Sequence, residues 1–365
     1  MSLVWYSRRV RRPLSRCGLL GLTLAVVLAT AGSRAPMPRV ASTLLLRVID
    51  SATRRPLPNA EVTASGRRGL TDAAGEVRVV WPENGQLRVR VRQLGFHYVH
   101  RTFTRDPGSR AEEDTAVVAL ARAGSVLPQV VVRAQQRCSG SGDSARVALS
   151  EASMELLRFG AEQFENFRRA YPFEITMERR TMPHASPGRA MPYSRVETDT
   201  TPSHEWGDRY VPGEVVQRRG ANGYFVPLLF VSALADSAFW DRHCILARGV
   251  ESRDGRRLIR LDFSPALDVK DPEWSGSAWL DSSRNVLTRI DFHLTNLRPS
   301  DGPQRFEGYT VFSTPTPFIA MPDSTVAWWT TLGPWQTYGR AQSTGMQTLV
   351  IRELRYRQRT PPSSR

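Results

Sequence analysis

Leu44-Leu45-Leu46-Arg47-Val48-Ile49-Asp50 opens a run that continues through Ala60–Ser65, Glu76–Trp81 and Leu87–Leu94, and the reading of this run decides the fold. Each segment is short, apolar or alternating, and stops at turn-forming residues. A Pro56-Leu57-Pro58-Asn59 corner precedes the second segment, and Gly66 and Gly69 surround the turn after it. Thr71-Asp72-Ala73-Ala74-Gly75 is a tight connection, because Gly75 tolerates positive φ and Asp72 can bond its own backbone. Glu83-Asn84-Gly85 predicts a hairpin between the segments on either side of it. Leu87, Val89 and Val91 share one face of their strand, and Arg88, Arg90 and Arg92 share the other. That arginine face reads as the solvated side of a sheet, with phosphates or lipid headgroups as the functional alternative. Thr115–Leu120 supplies a last strand, and the whole spacing predicts a small β-sandwich.

Pro56, Ala60, Thr71-Asp72 with Gly75, and Leu94-Gly95-Phe96 resemble the carboxypeptidase regulatory-like domain, a transthyretin-like sandwich, over residues 44–122. The resemblance implies a fold and an exported compartment, and it implies no activity.

Upstream, residues 1–31 combine a basic start (Arg8, Arg9, Arg11, Arg12, Arg16), the apolar run Gly18–Ala29 and a small-residue Ala29-Thr30-Ala31 site. They read as a signal peptide, with 32–43 as a linker. The formal charge of +15 falls to +10 without those five arginines. Lys270 is the only lysine, so the basic balance permits anionic partners without demanding them.

Downstream, Val126–Arg133 resembles the segment that follows the same domain in TonB-dependent outer-membrane receptors. The residues left are too few for a plug and barrel, so this stretch reads as an edge strand within a linker, 123–149. Ser139-Gly140-Ser141-Gly142 in that linker marks a flexible joint.

Ser150–Tyr171 is the clearest helix: Ser150 can cap it, and Met154, Leu157, Ala161, Phe164 and Phe167 form one apolar stripe. Pro172 ends it. Strands then follow at Phe173–Thr181, Tyr193–Thr200, Val211–Arg218, Ile245–Val250, Arg257–Phe263 and Ser275–Leu280. Four more are expected at Val286–Leu294, Phe306–Ser313, Thr325–Thr331 and Thr348–Arg357, with a short helix at Leu228–Ala238. Met182–Pro192 and Leu297–Gln304 read as loops. The fold class predicted is therefore mainly β: a sandwich followed, over 150–360, by an α+β domain with a curved antiparallel sheet. Leu261–Pro265, Gly276–Asp281 and Leu287–Ile290 resemble the strand–turn–strand unit of periplasmic lipoprotein-carrier-like half-barrels. They also resemble envelope proteins in which a pair like His243-Cys244 precedes that unit.

Chemistry is hard to place on this chain. A zinc carboxypeptidase site needs a Glu three residues after a His, but His184, His204, His243 and His293 are followed there by Pro187, Gly207, Leu246 and Asn296. His97 and His100 face opposite ways on one strand and cannot share a metal. Asp268, Asp271 and Glu273 read as a solvated turn rather than a weak calcium site. There is no nucleophile elbow, phosphate loop or dinucleotide fingerprint. The chain is accordingly expected to be no enzyme, with no cofactor and no metal.

Binding remains. Trp279 and Trp328 look like core positions, but Trp328 and Trp329 must face opposite sides of a strand, so the pair is the candidate ligand-facing feature. Cys138 and Cys244, left after cleavage removes Cys17, are the arithmetic of one disulfide. The competing readings are a buried Cys244 with a free Cys138 thiol, or a metal held by His243-Cys244. The function expected is a non-catalytic exported envelope protein, periplasmic or outer-membrane associated. A carrier of a hydrophobic ligand in the second domain is the alternative, and an accessory part of a peptidase or receptor system comes third. The partners expected are an envelope protein or a hydrophobic ligand, with no nucleic acid and with peripheral contact to an anionic membrane surface left open.

Overall fold

The computed structural model describes residues 42–106, 113–122, 138, 144–185, 195–207, 209–219, 223–253, 255–298, 302–332, 342–357 and 361. The expected leader at 1–31, the expected edge strand at 126–133 and the expected joint at 139–142 lie outside the described residues.

The N-terminal strands are β1 (Thr43–Asp50), β2 (Glu61–Ala64), β3 (Arg67–Leu70), β4 (Glu76–Val80), β5 (Gln86–Arg92), β6 (Val99–Thr104) and β7 (Glu113–Leu120). They form a three-stranded sheet, β4-β1-β7, and a four-stranded sheet, β3-β2-β5-β6. Leu46, Val48, Val62, Leu87, Val91 and Leu120 are buried between the two. The Thr71–Gly75 connection behaves as its chemistry dictates. Asp72 Oδ1 accepts from the Ala74 and Glu76 amides at 2.9 Å each. Gly75 sits at φ +73, where a Cβ would come within 2.5 Å of the Val48 carbonyl.

Two expectations need correction here. Asn84-Gly85 closes no hairpin: β4 pairs with β1, and β5 pairs with β2 and β6, so the turn carries the chain from one sheet to the other. An Asn-Gly step fixes a local reversal, while the partner is chosen by burial, and β4 aligns Val77 and Val79 with Leu46 and Leu44 of β1. Gly69 lies in β3 rather than in a turn. The turn is Ser65-Gly66, with φ values of +49 and +76, the mirror-image geometry that two-residue hairpins favour.

Helix α1 (Ser144–Ala170) begins six residues before the expected cap at Ser150. Ala145, Arg146, Ala148 and Leu149 are good helix formers, so nothing local halts the helix at the serine. The remaining strands are β8 (Phe173–Ala185), β9 (Arg195–Pro202), β10 (Gln217–Arg219), β11 (Gly223–Phe225), β12 (His243–Arg253), β13 (Arg256–Pro265), β14 (Glu273–Asp281), β15 (Val286–Thr295), β16 (Pro303–Thr316), β17 (Ile319–Leu332) and β18 (Gln342–Tyr356). Nine of them make one curved antiparallel sheet, β12-β13-β14-β15-β16-β17-β18-β8-β9. Of the expected strand Val211–Arg218, only the short β10 forms, paired with β11. The expected helix Leu228–Ala238 is a 3-10 turn, Val231–Ala235, and a separate α2 (Ser237–Arg242). Asp236 divides them: its backbone is extended, and its carboxylate caps α2 by accepting from the Ala238 amide at 3.0 Å.

Helix α1 lies against one face of the large sheet and touches β12, β13, β15 and β17. Leu157, Ala161, Phe164 and Phe167 enter a continuous core with Phe173, Phe239, Trp274, Phe292 and Phe306. The helix has a second buried side, which the single-stripe reading missed. Phe159 packs with Leu94 of the sandwich and Val286 of β15. Asn166 Nδ2 donates to Glu61 Oε2 at 2.6 Å, and Gln163 Nε2 donates to the Asn59 carbonyl at 3.3 Å. The helix is therefore wedged between the sandwich and the large sheet.

Candidate functional sites

The inner face of the large sheet is where a hydrophobic ligand would lie, and it is filled by the protein itself. Phe164 and Phe167 of α1, with Phe230 and Phe239, form a set of ring contacts with Trp206, Phe173 and Phe263, edge-on apart from the tilted Phe167–Phe173 pair. The space remaining among Tyr210, Val215, Leu229, Phe230 and Trp274 is about 20 Å³, enough for one water and far too small for an acyl chain.

Trp328 and Trp329 do face opposite sides of β17. Trp329 is the buried one: it is 3% exposed and stands in register with Phe306 on one side and Gly345 on the other. A Cβ on Gly345 would lie 2.5 Å from the indole, so the absent side chain makes the room that Trp329 fills. Trp329 thus packs in the core, and Trp328 is the member of the pair left partly exposed. Trp328 is half-buried on the outer face, donates its indole N–H to Glu307 Oε1 and meets Tyr309 edge-on. Trp279 is buried, as expected of a core position, whereas Trp328 is only partly so. Trp279 also points outward, donating to Asp291 Oδ2 at 2.8 Å beneath the guanidinium groups of Arg253 and Arg260.

That outer face is internally satisfied. Asp262 accepts from Arg248 at 2.6 Å, from Arg260 at 2.8 Å and from Ser277 at 2.7 Å. Burial works to raise its pKa, but these three donors outweigh it and hold the carboxyl below its ordinary value. Arg289 bonds Asp291 at 2.7 Å and lies over the Tyr309 ring at 4.0 Å. Groups so paired have little left for a ligand.

The polar residues that the sequence offered as a metal ligand or a turn instead form a buried cluster. Glu273 is fully buried; it accepts from Tyr210 at 2.8 Å, from Arg242 at 3.3 Å and from the Trp274 amide at 3.0 Å. His243 stacks on Phe239 with centroids 3.9 Å apart. Its Nδ1 lies 2.7 Å from the Phe239 carbonyl and its Nε2 lies 3.0 Å from that of Trp274. Burial is the largest influence on His243 and lowers its pKa, against those carbonyls and Glu273, which pull upward. Burial, with Glu273 next, raises the Tyr210 phenol well above its ordinary value. Both ring nitrogens of His243 face backbone carbonyls, one of which the neutral ring can donate to, and Cys244 is bonded to Cys138, Sγ to Sγ at 1.92 Å. The metal reading of His243-Cys244 and the free-thiol reading of Cys138 are therefore set aside. No group of three or more metal-ligating side chains occurs among the described residues. Glu273 belongs to this cluster and not to a solvated turn, a contact that its isolated position after Pro272 did not announce.

The disulfide anchors the chain just ahead of α1 to β12, the edge strand of the large sheet. The sandwich, for its part, offers a groove of about 400 Å³ on its four-stranded sheet, between the Ser65-Gly66 turn and β6 and lined by Arg88, Arg90, His100 and Arg101.

No protein-family model matches this chain, and no curated protein matches it. Among solved structures, a DUF1329 family protein from Desulfovibrio piger is 12% identical, with a TM-score of 0.30 over 58% of this chain and 94% of that one. A candidate membrane-associated protein of unknown function from Bacteroides fragilis is 9% identical, with a TM-score of 0.19 over 86% of this chain and 98% of that one. Likenesses this slight carry no argument about activity or partners.

Proposed function

We propose that this chain is an exported, non-catalytic envelope protein that recognises its partner on outer surfaces, with the N-terminal sandwich serving as a regulatory-like module. One observation carries the reading: among the described residues α1 packs across the inner face of the large sheet, and the pocket beside Tyr210 and Trp274 has room for only about 20 Å³. A carrier needs that face open, so the carrier alternative is the weaker one. The polar cluster with the most catalytic composition, His243, Glu273 and Tyr210, is turned inward, with His243 and Glu273 side chains fully buried, and acts as packing. The Cys138–Cys244 bond supports an oxidising compartment such as the periplasm or the outer-membrane surface. No helix among the described residues is long and apolar enough to cross a membrane.

The test is gentle purification from the native envelope, followed by organic extraction and lipid mass spectrometry. The proposal expects no stoichiometric acyl ligand. One lipid per protein, retained through purification, would overturn it in favour of the carrier.

A further inference from the structure

We infer that the groove on the four-stranded sheet of the sandwich is a binding site for phosphate-ester groups. The inference rests on the reading above, that recognition takes place on outer surfaces, and it names the site and the ligand chemistry.

Thr63, Arg90 and His100 stand side by side in register across β2, β5 and β6, and Arg88 stands beside Thr102 in the next row. Arg88 and Arg90 are two residues apart on one pleated face, so their Cα atoms lie about 7 Å apart and both side chains project into the same space. Arg101 and the exposed Ser65 complete the lining. Like charges gathered on one sheet face repel unless something answers them. Here nothing among the described residues does: Arg88 and Arg90 have no carboxylate partner, and neither has Arg101, which reaches the groove from the β6 edge. The acidic side chain on this face, Glu61, is fully buried at the other end and is taken by Asn166, with Arg92 at 3.9 Å.

The same arginine row shows what satisfied looks like. Arg92, one pleat beyond Arg90, is met by Glu162 at 3.4 Å and Glu155 at 3.7 Å from α1. On the large sheet, Arg248, Arg260, Arg289 and Arg305 each have an aspartate or glutamate within 2.8 Å. The helix supplies anions to one end of the row and leaves the other end open.

The donors decide the ligand class. Guanidinium forks and hydroxyls give many hydrogen-bond donors and no fixed negative charge, which suits an oxyanion with several acceptor oxygens. The groove is open to solvent, and the space of about 400 Å³ over these side chains is room for a phosphate ester. The shared chemistry is a phosphate ester, from a lipid headgroup or from a soluble phosphorylated compound.

The experiment uses the whole oxidised chain. Titration calorimetry with inorganic pyrophosphate is run beside sedimentation with phosphatidylglycerol and phosphatidylcholine vesicles. The variants are R88Q/R90Q and, as a control of equal charge change at the exposed β12–β13 hairpin, R256Q/R257Q. R88Q/R90Q is expected to weaken binding at least tenfold, and R256Q/R257Q to leave it within twofold; thermal melts confirm that both variants fold. Binding to phosphatidylglycerol vesicles with this same sensitivity assigns the lipid source; pyrophosphate binding without vesicle binding assigns a soluble ester. Absence of both kinds of binding, or equal weakening by the two variants, overturns the site. An empty groove would leave the outer-surface reading standing, since that reading fails only on a lipid held inside.

Discussion

The guanidinium of Arg92 lies 3.9 Å above the ring of Phe159, so a strand of the sandwich and the helix of the second core meet in one stacked contact. Arg92 is 16% exposed at its side chain and also faces Glu162 and Glu155. Arg92→Ala is expected to cost about 1–2 kcal/mol, and Arg92→Lys to recover little of it, because an ammonium cannot stack as a planar fork does. Urea unfolding followed by fluorescence checks this. A midpoint unchanged in Arg92→Ala would show that the two cores are not joined through this residue.

Reducing the Cys138–Cys244 bond releases a loop with a sequence separation of 106. On the chain-entropy view the loss is at most about 4–5 kcal/mol. Thiol titration of denatured protein should find no reactive mature thiol before reductant and two after, with a lower melting temperature in the reduced state. Two thiols reacting before reduction would contradict the bridge.

Filling the space opposite Trp329 should expel it. Gly345→Val places atoms where the indole now sits, and overpacking of this kind costs about 1–3 kcal/mol. Intrinsic fluorescence should shift to the red as Trp329 gains solvent. An unshifted spectrum with unchanged stability would mean that the indole is not held against Gly345.

Acid should weaken the fold before any carboxylate titrates. Burial lowers the pKa of His243 below the ordinary histidine value of 6.5, and partial desolvation lowers that of the more exposed His293 as well. Below pH 6.5 the unfolded chain takes up protons that these folded side chains refuse. Stability therefore rises with pH between their depressed values and 6.5, and levels off above. Melting temperatures from pH 5 to 8 check the sign, and His243→Gln should flatten the slope. Stabilisation on acidification would instead mark His243 as an imidazolium donating to both carbonyls beside Glu273.

Much of this architecture is legible in the residues. Period-two runs such as Leu87–Arg92 and the Asp72–Gly75 connection place the sandwich strands, and Leu157, Ala161, Phe164 and Phe167 announce a helix with a core-facing stripe. What failed was pairing over distance. Asn84-Gly85 shows a reversal without showing that β4 leaves for another sheet. Phe159, Gln163 and Asn166 carry the second buried side of α1, and polar residues at helical spacing do not reveal that Glu61 and Asn59 await them. Alternation did establish that Trp328 and Trp329 diverge; only the register with Gly345 tells which one is inside. The buried Glu273 cluster draws on Tyr210, Arg242 and His243, which lie on three separate segments, and no spacing rule joins them.

The central claim is that α1 belongs to the core and is not a lid over a ligand cavity. Hydrogen exchange on the amides of residues 155–170, with and without added lysophospholipid, tests it most directly. The account predicts slow exchange in α1, comparable to β14 and β15, and no change on adding lipid. Fast exchange across the helix, slowed when lipid is present, would contradict it.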